Sequence, residues 1–163
     1  MRVLGIDPGL RLTGYGLVEV RPGAIEPTLL EGGVIKLDAK TSIADRLVQL
    51  AEDLNGLLES LSPTRVAVEK LFAHYAHPRT ALVMGHARGV ILLCAAQHGL
   101  AIEELGATEV KKSVTGNGHA SKEQMQRAVQ AQYRLAQPPS PPDVADAIAI
   151  ATCAARRAAV AAL

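Results

Sequence analysis

Apolar residues recur along this chain with two periods, and the change from one to the other marks its elements. Val3–Ile6 is a short continuous apolar run, of the kind that fills a strand buried on both faces; Asp7 and the turn signal Pro8-Gly9 end it. Residues 12–20 and 28–37 read as a second and a third strand, with Pro22-Gly23 in the loop, which predicts an antiparallel meander. Ile43, Leu47, Leu50, Leu54, Leu57, Leu58 and Leu61 then keep helical spacing. Ser42 as cap, Asp45 in the first turn and Pro63 beyond the end predict a helix over 42–61. Val66-Ala67-Val68 predicts a fourth buried strand over 64–70, and this strand ends at Glu69.

Pro78 opens a helix over 78–98 that is apolar nearly all round between Ala81 and Ala96, with Gly85 and Gly89 four apart. Such a helix is expected to be buried on two sides, against the sheet and against a partner subunit. Residues 100–105 predict a fifth strand, and Thr108 is expected to cap a short helix carrying Lys111 and Lys112. After the loop Gly116–Ala120, Ser121 caps another helix, with Gln124 completing a capping box. The Pro-Pro-Ser-Pro-Pro stretch over 138–142 is a stiff connector into a final helix over 143–161, packing through Val144, Ala147, Ile148 and Ala151.

The length, 163 residues, suits one domain spanning 1–163 with one good core. Net charge is +1, so total charge does not point to nucleic acid, but its distribution is skewed. Residues 1–62 hold six Lys/Arg against nine Asp/Glu, whereas residues 63–134 hold nine against five and all five histidines. The middle of the chain is therefore the better face for a polyanion. Cys94 and Cys153 lie in apolar helical stretches and read as buried free thiols of a reducing compartment. No secretory signal and no apolar run of membrane-spanning length is present, so a soluble cytoplasmic protein without membrane contact is expected.

The candidate chemistry lies in four carboxylates. Asp7 and Glu69 end two predicted central strands; Asp143 and Asp146, three apart, share one face at a helix start. Each has an ordinary reading alone, since Asp caps turns and acidic residues suit helix N-termini. If strands one and four are neighbours, all four converge, and converging carboxylates repel unless a cation lies between them. Magnesium or manganese suits such an all-oxygen site. Two such ions can hold the attacking and leaving oxygens of a phosphoryl displacement, with Lys111 or Lys122 offsetting transition-state charge. Gly14 and Gly16 permit either a close approach to the backbone or a bulge. The glycines before Ser121 suit a phosphate cradle, with Lys122 in the first turn beside it. His74 and His77 are a weak metal spacing and read as loop residues facing solvent or DNA.

Gly5-Ile6-Asp7-Pro8-Gly9 with Thr13-Gly14-Tyr15-Gly16 closely resembles the opening of RuvC-type Holliday junction resolvases. So do Val68-Glu69-Lys70-Leu71-Phe72, Ala87-Arg88-Gly89-Val90, Val110-Lys111 with Gly116 through Lys122, and Asp143 through Ala151, all in family order. The resemblance implies an RNase H-like α/β fold: a five-stranded mixed sheet, its first three strands antiparallel, flanked by α-helices. It implies a homodimer that nicks two opposed strands of a four-way DNA junction in recombination and repair, leaving ligatable ends. Mg²⁺ or Mn²⁺, two ions per subunit, and a branch-migration complex as partner belong to the same expectation. Asp7, Glu69, Asp143 and Asp146 match the family's metal-binding catalytic carboxylates. Lys111 and Lys122 match basic residues near the scissile phosphate, with Lys122 among the catalytic set, and Arg88 is expected as a further DNA contact. Phe72, the chain's one phenylalanine, matches an aromatic that stacks on an unpaired junction base. Lys70 departs from the pattern, standing where several relatives carry Gln. Two competing functions are an RNase H-like accessory that binds nucleic acid without cutting and an actin-like nucleotide hydrolase. The latter needs a second phosphate loop and about twice the length.

Overall fold

The structure is a computed structural model and describes residues 1–70 and 78–162, with the backbone alone for 78–80. Ten elements follow one another: β1 (Arg2–Asp7), β2 (Leu12–Glu19), β3 (Thr28–Lys36), α1 (Ile43–Leu61), β4 (Arg65–Glu69), α2 (Pro78–Gln97), β5 (Ala101–Leu105), α3 (Ala107–Thr115), α4 (Lys122–Tyr133) and α5 (Pro142–Ala161). The strands form one sheet in the order β3-β2-β1-β4-β5. The first three are antiparallel, and β4 and β5 run parallel to β1.

Period-two alternation divides the strand side chains between two helical layers. Leu4, Ile6, Leu17, Val66 and Val68 pack on one face against α1 and α2. Val3, Val18, Ala67 and Leu105 pack on the other against α3, α4 and α5. This parity places Asp7 and Glu69, one step beyond Gly5 and Ala67 on the same face, on the α5 side of the sheet. Ile6 pairs with Val68, so Asp7 and Glu69 emerge side by side from neighbouring parallel strands.

The α5 helix is the centre of the molecule, and glycines admit it. Gly32, Gly16 and Gly5 lie in one cross-strand row through β3, β2 and β1. A Cβ on Gly5 would collide with the backbone of Ala147 and Ala151, and one on Gly16 with Ile148. The row is thus a trough without side chains, and an alanine-rich helix lies in it. Residues Ala147–Ala155 of α5 are all buried, enclosed by the sheet on one side and by α3 and α4 on the other.

Several expectations are corrected. The close approach at Gly14 and Gly16 is made by α5, and the irregularity between β2 and β3 falls at Leu17/Val18 instead of at either glycine. Within the chain itself the helix buried on more than one side is α5; among the described side chains of α2, Ala87, Ile91, Cys94 and Ala95 are buried, and Leu82 and Leu93, 66 % and 56 % exposed, lie on the side expected to meet a partner subunit. Gly106, not Thr108, occupies the N-cap of α3, and α5 begins at Pro142, so Asp143 is the second helical residue and not a cap. Proline at the first helical position forgoes an N–H that had no partner there anyway. Ser42 caps α1, and the Ser121–Gln124 capping box of α4 is present. Cys94 and Cys153 are free and buried. Among the described residues no helix is long and apolar enough to cross a membrane.

Candidate active site

A cleft of about 940 Å³ opens at the C-terminal ends of β1 and β4, and Asp7, Glu69, Asp143, Asp146, Lys111 and Lys122 all line it. Two of the carboxylates come from the sheet and two from the start of α5. Gly14 makes the junction possible. It is paired with Asp7 across β1 and β2, and a Cβ there would overlap the carbonyl of Asp143. Without that glycine the first turn of α5 could not come down beside Asp7.

The carboxylates share one electrostatic environment. Burial, then Asp146, Asp143 and Glu69, push Asp7 up from 3.8 to about 8, against the pull of Lys122. Glu69 is raised by burial and Asp146, and Asp146 by burial and Asp143; Lys111 and Lys122 oppose both shifts. Lys122 Nζ stands 3.9 Å from Asp146 Oδ2, with its side chain 74 % exposed, so it reaches the cleft from the solvent side. So exposed a pair is screened by solvent and adds little to stability.

The donor set fits divalent cations. All four groups are half-buried carboxylates, and among the described residues none accepts a hydrogen bond through its side chain. Four half-buried acids that accept no side-chain hydrogen bond and face two lysines ask for a further cation. Their side chains are not drawn tightly together: among the described residues no three His, Cys, Asp or Glu groups are gathered as a metal-holding set.

Three expected contacts stand differently. Arg88 is not on the cleft wall: its side chain is 13 % exposed, donates through Nε to the Glu69 carbonyl at 3.3 Å and pairs with the Glu104 carboxylate. The loop before α4 is not an open phosphate cradle. The amides of Asn117, His119 and Ser121 are taken by Thr115, Asn117 and Gln124 side chains. Phe72, with His74 and His77, lies outside the described residues. Two cations in the cleft wall, Arg11 and Lys36, were missed by sequence reasoning. The hint available was their position at strand ends, Arg11 just before β2 and Lys36 as the last residue of β3.

Residues 3–154 match the crossover junction endodeoxyribonuclease RuvC family. A crossover junction endodeoxyribonuclease RuvC of Rhodopirellula baltica is 46 % identical over 93 % of this chain and 84 % of its own length. That of Heliobacterium modesticaldum is 44 % identical over 95 % and 94 %. Thermus thermophilus RuvC, solved in complex with a Holliday junction substrate, superposes with a TM-score of 0.88 at 34 % identity, covering 99 % of this chain and 96 % of that one. The sheet order, the cleft at the ends of β1 and β4 and these matches agree, and the chain belongs to the RuvC family of crossover junction endodeoxyribonucleases.

Proposed function

We infer that the chain resolves four-way DNA junctions by hydrolysing one phosphodiester bond in each of two opposed strands. The observation that carries this reading is the convergence of Asp7, Glu69, Asp143 and Asp146, with Lys111 and Lys122, on one cleft in a member of this family. Asp7, Glu69, Asp143 and Asp146 would hold the ions, Mg²⁺ or Mn²⁺, two per protomer. Divalent ions bound there supply a more acidic water and a counter-charge for the leaving oxygen. The carboxylates fix the geometry of attack: water oxygen joins phosphorus as the bond to the 3′ oxygen breaks, which leaves ends a ligase accepts. Lys122 and Lys111, whose positive charges already reach Glu69 and Asp146, offset negative charge on the phosphoryl oxygens. Phe72, three positions beyond Glu69, stacks on a base freed at the crossover.

Two opposed cuts in a two-fold substrate call for two sites related by a two-fold axis, hence a homodimer. The exposed stripe Leu82, His86, Gly89 and Leu93 on α2, opposite its buried face, supplies the apolar surface for it. A branch-migration complex that presents junctions, in the cytoplasm, completes the setting.

The test is one assay: a synthetic mobile junction, a metal series, and wild type beside Asp7→Asn. Wild type is expected to give paired nicks with Mg²⁺ or Mn²⁺, and Asp7→Asn to bind the junction without cutting. Normal cutting by Asp7→Asn, or by wild type in EDTA, would overturn the reading.

A further inference from the structure

Four cations line the cleft, but they fall into two pairs. Lys111 on α3 and Lys122 at the start of α4 stand on the β4–β5 side and on the α5 layer; Lys122 acts on Asp7, and both act on Glu69 and Asp146. Arg11 and Lys36 stand on the β2–β3 side. Among the described residues neither makes an ion pair, with a carboxylate of the cleft or elsewhere, and their charge is not used within the protein.

Their support is rigid. Lys36 pairs with Leu12 in the sheet, and the Leu37 amide donates to the Arg11 carbonyl at 3.0 Å. Arg46 Nη1 donates to the Leu10 carbonyl at 3.2 Å. Thr13, fully buried, donates through Oγ1 to the Gly9 carbonyl at 2.7 Å and accepts from the Gly9 amide at 3.3 Å. The turn carrying Arg11 is therefore braced from β2, β3 and α1. Cations on rigid elements lose less freedom on binding than cations on loose loops.

We propose that Arg11 and Lys36 form a second phosphate-binding wall of the cleft, which grips the strand to be cut on the β2–β3 side of Asp7, while Lys111 and Lys122 face the scissile phosphate. The proposal rests on the junction-resolving reading above. Its physical reason is charge: two divalent ions at most neutralise the four carboxylates of the cleft floor, so net attraction for DNA must come from cations set beyond them. A strand that crosses the floor then meets positive charge on both sides, with the scissile linkage over the carboxylates.

The experiment compares wild type, Arg11→Gln/Lys36→Gln, and the charge-matched control Arg21→Gln/Arg127→Gln, whose sites lie outside the cleft. Junction affinity is titrated against salt with Ca²⁺ in place of Mg²⁺, and thermal unfolding verifies that each variant is folded. Two lost phosphate contacts should reduce the log–log salt slope of the cleft variant by about 1.4 to 1.8, and the control should keep the wild-type slope. Methylphosphonate at linkages flanking the scissile one should weaken wild-type binding and leave the cleft variant unaffected. A cleft variant with the slope of wild type, or of the control, would overturn the proposal while wild type still binds and cuts. A wild type that neither binds nor cuts the junction would instead overturn the reading beneath it.

Discussion

Arg88 Nε donates to the backbone carbonyl of Glu69 across 3.3 Å, and the same guanidinium pairs with the Glu104 carboxylate on β5. Arg88 therefore ties α2 to the end of β4 at the residue whose side chain faces the cleft. It holds main chain, so its expected effect on cleavage runs through Glu69. Arg88→Ala should lower single-turnover cleavage at least tenfold and raise the Mg²⁺ concentration needed for half-maximal rate. It removes a charge-assisted hydrogen bond worth about 1.5–3 kcal/mol. The salt slope of junction binding should stay at the wild-type value, because no phosphate contact is lost. A reduced slope with an unchanged metal midpoint would mark Arg88 as a DNA contact instead.

Gly14 and Asp143 make the second test. A Cβ at Gly14 overlaps the Asp143 carbonyl, so Gly14→Ala must displace the first turn of α5. Overpacking of this kind costs about 1–3 kcal/mol, which thermal unfolding will read. Because the displaced residue is a candidate metal ligand, cleavage should fall further than the loss of folded protein explains. Gly89→Ala is the contrast: nothing lies within 4 Å of a Cβ there, and the substitution in a helix should stabilise the isolated chain by about 0.5–1 kcal/mol.

Much of this arrangement was legible before the fold. Asp7 and Glu69 stand out because each ends a short apolar run bounded by turn signals, and two carboxylates at the ends of two such strands are harder to explain than one. The capping box at Ser121 and Gln124 is a local pattern and survived intact. The identity of what approaches Gly14 and Gly16 was not legible, because a trough made by glycines on three strands exists only once they pair in register. From the sequence α5 shows only a packing face of Val144, Ala147, Ile148 and Ala151, whereas every residue from Ala147 to Ala155 is buried. Hydropathy counts side-chain size, whereas close packing on a glycine row selects small residues. That Arg88 meets the Glu69 carbonyl and the Glu104 carboxylate was not legible, because neither group is near it in the chain.

The α2 surface gives a sharper dimer test than composition allowed. Val90 is half-buried and packs against the core beneath α2, so a polar residue there disturbs the fold itself. Leu82 and Leu93 are exposed and carry no such ambiguity. Leu82→Glu/Leu93→Glu should leave thermal unfolding of the isolated chain within about 0.5 kcal/mol of wild type. Sedimentation should then show monomer, and paired nicking of one junction should give way to single nicks. An unchanged dimer would move the interface elsewhere.

The pH behaviour of Asp7 separates a charged cleft from an inert one. Burial and its three acidic neighbours lift it from 3.8 to about 8 without a cation. Between those values the folded state keeps a proton that the unfolded state releases, so unfolding stability must fall as pH rises. The stabilising contribution is fully present below about pH 4 and is lost as pH passes through about 8. Glu69 and Asp146, also raised, act with the same sign. Thermal unfolding of the metal-free protein should therefore decline from about pH 5 to about pH 8, and Asp7→Asn, which mimics the protonated acid, should flatten that decline. Cation binding must expel the same proton. Calorimetry in buffers of different ionisation heat should find proton release on Mg²⁺ or Mn²⁺ binding at pH 7 and little at pH 9. Equal proton release at both values, or unfolding curves indifferent to Asp7→Asn, would mean that Asp7 is already ionised in the free protein and that the four carboxylates do not act as one site.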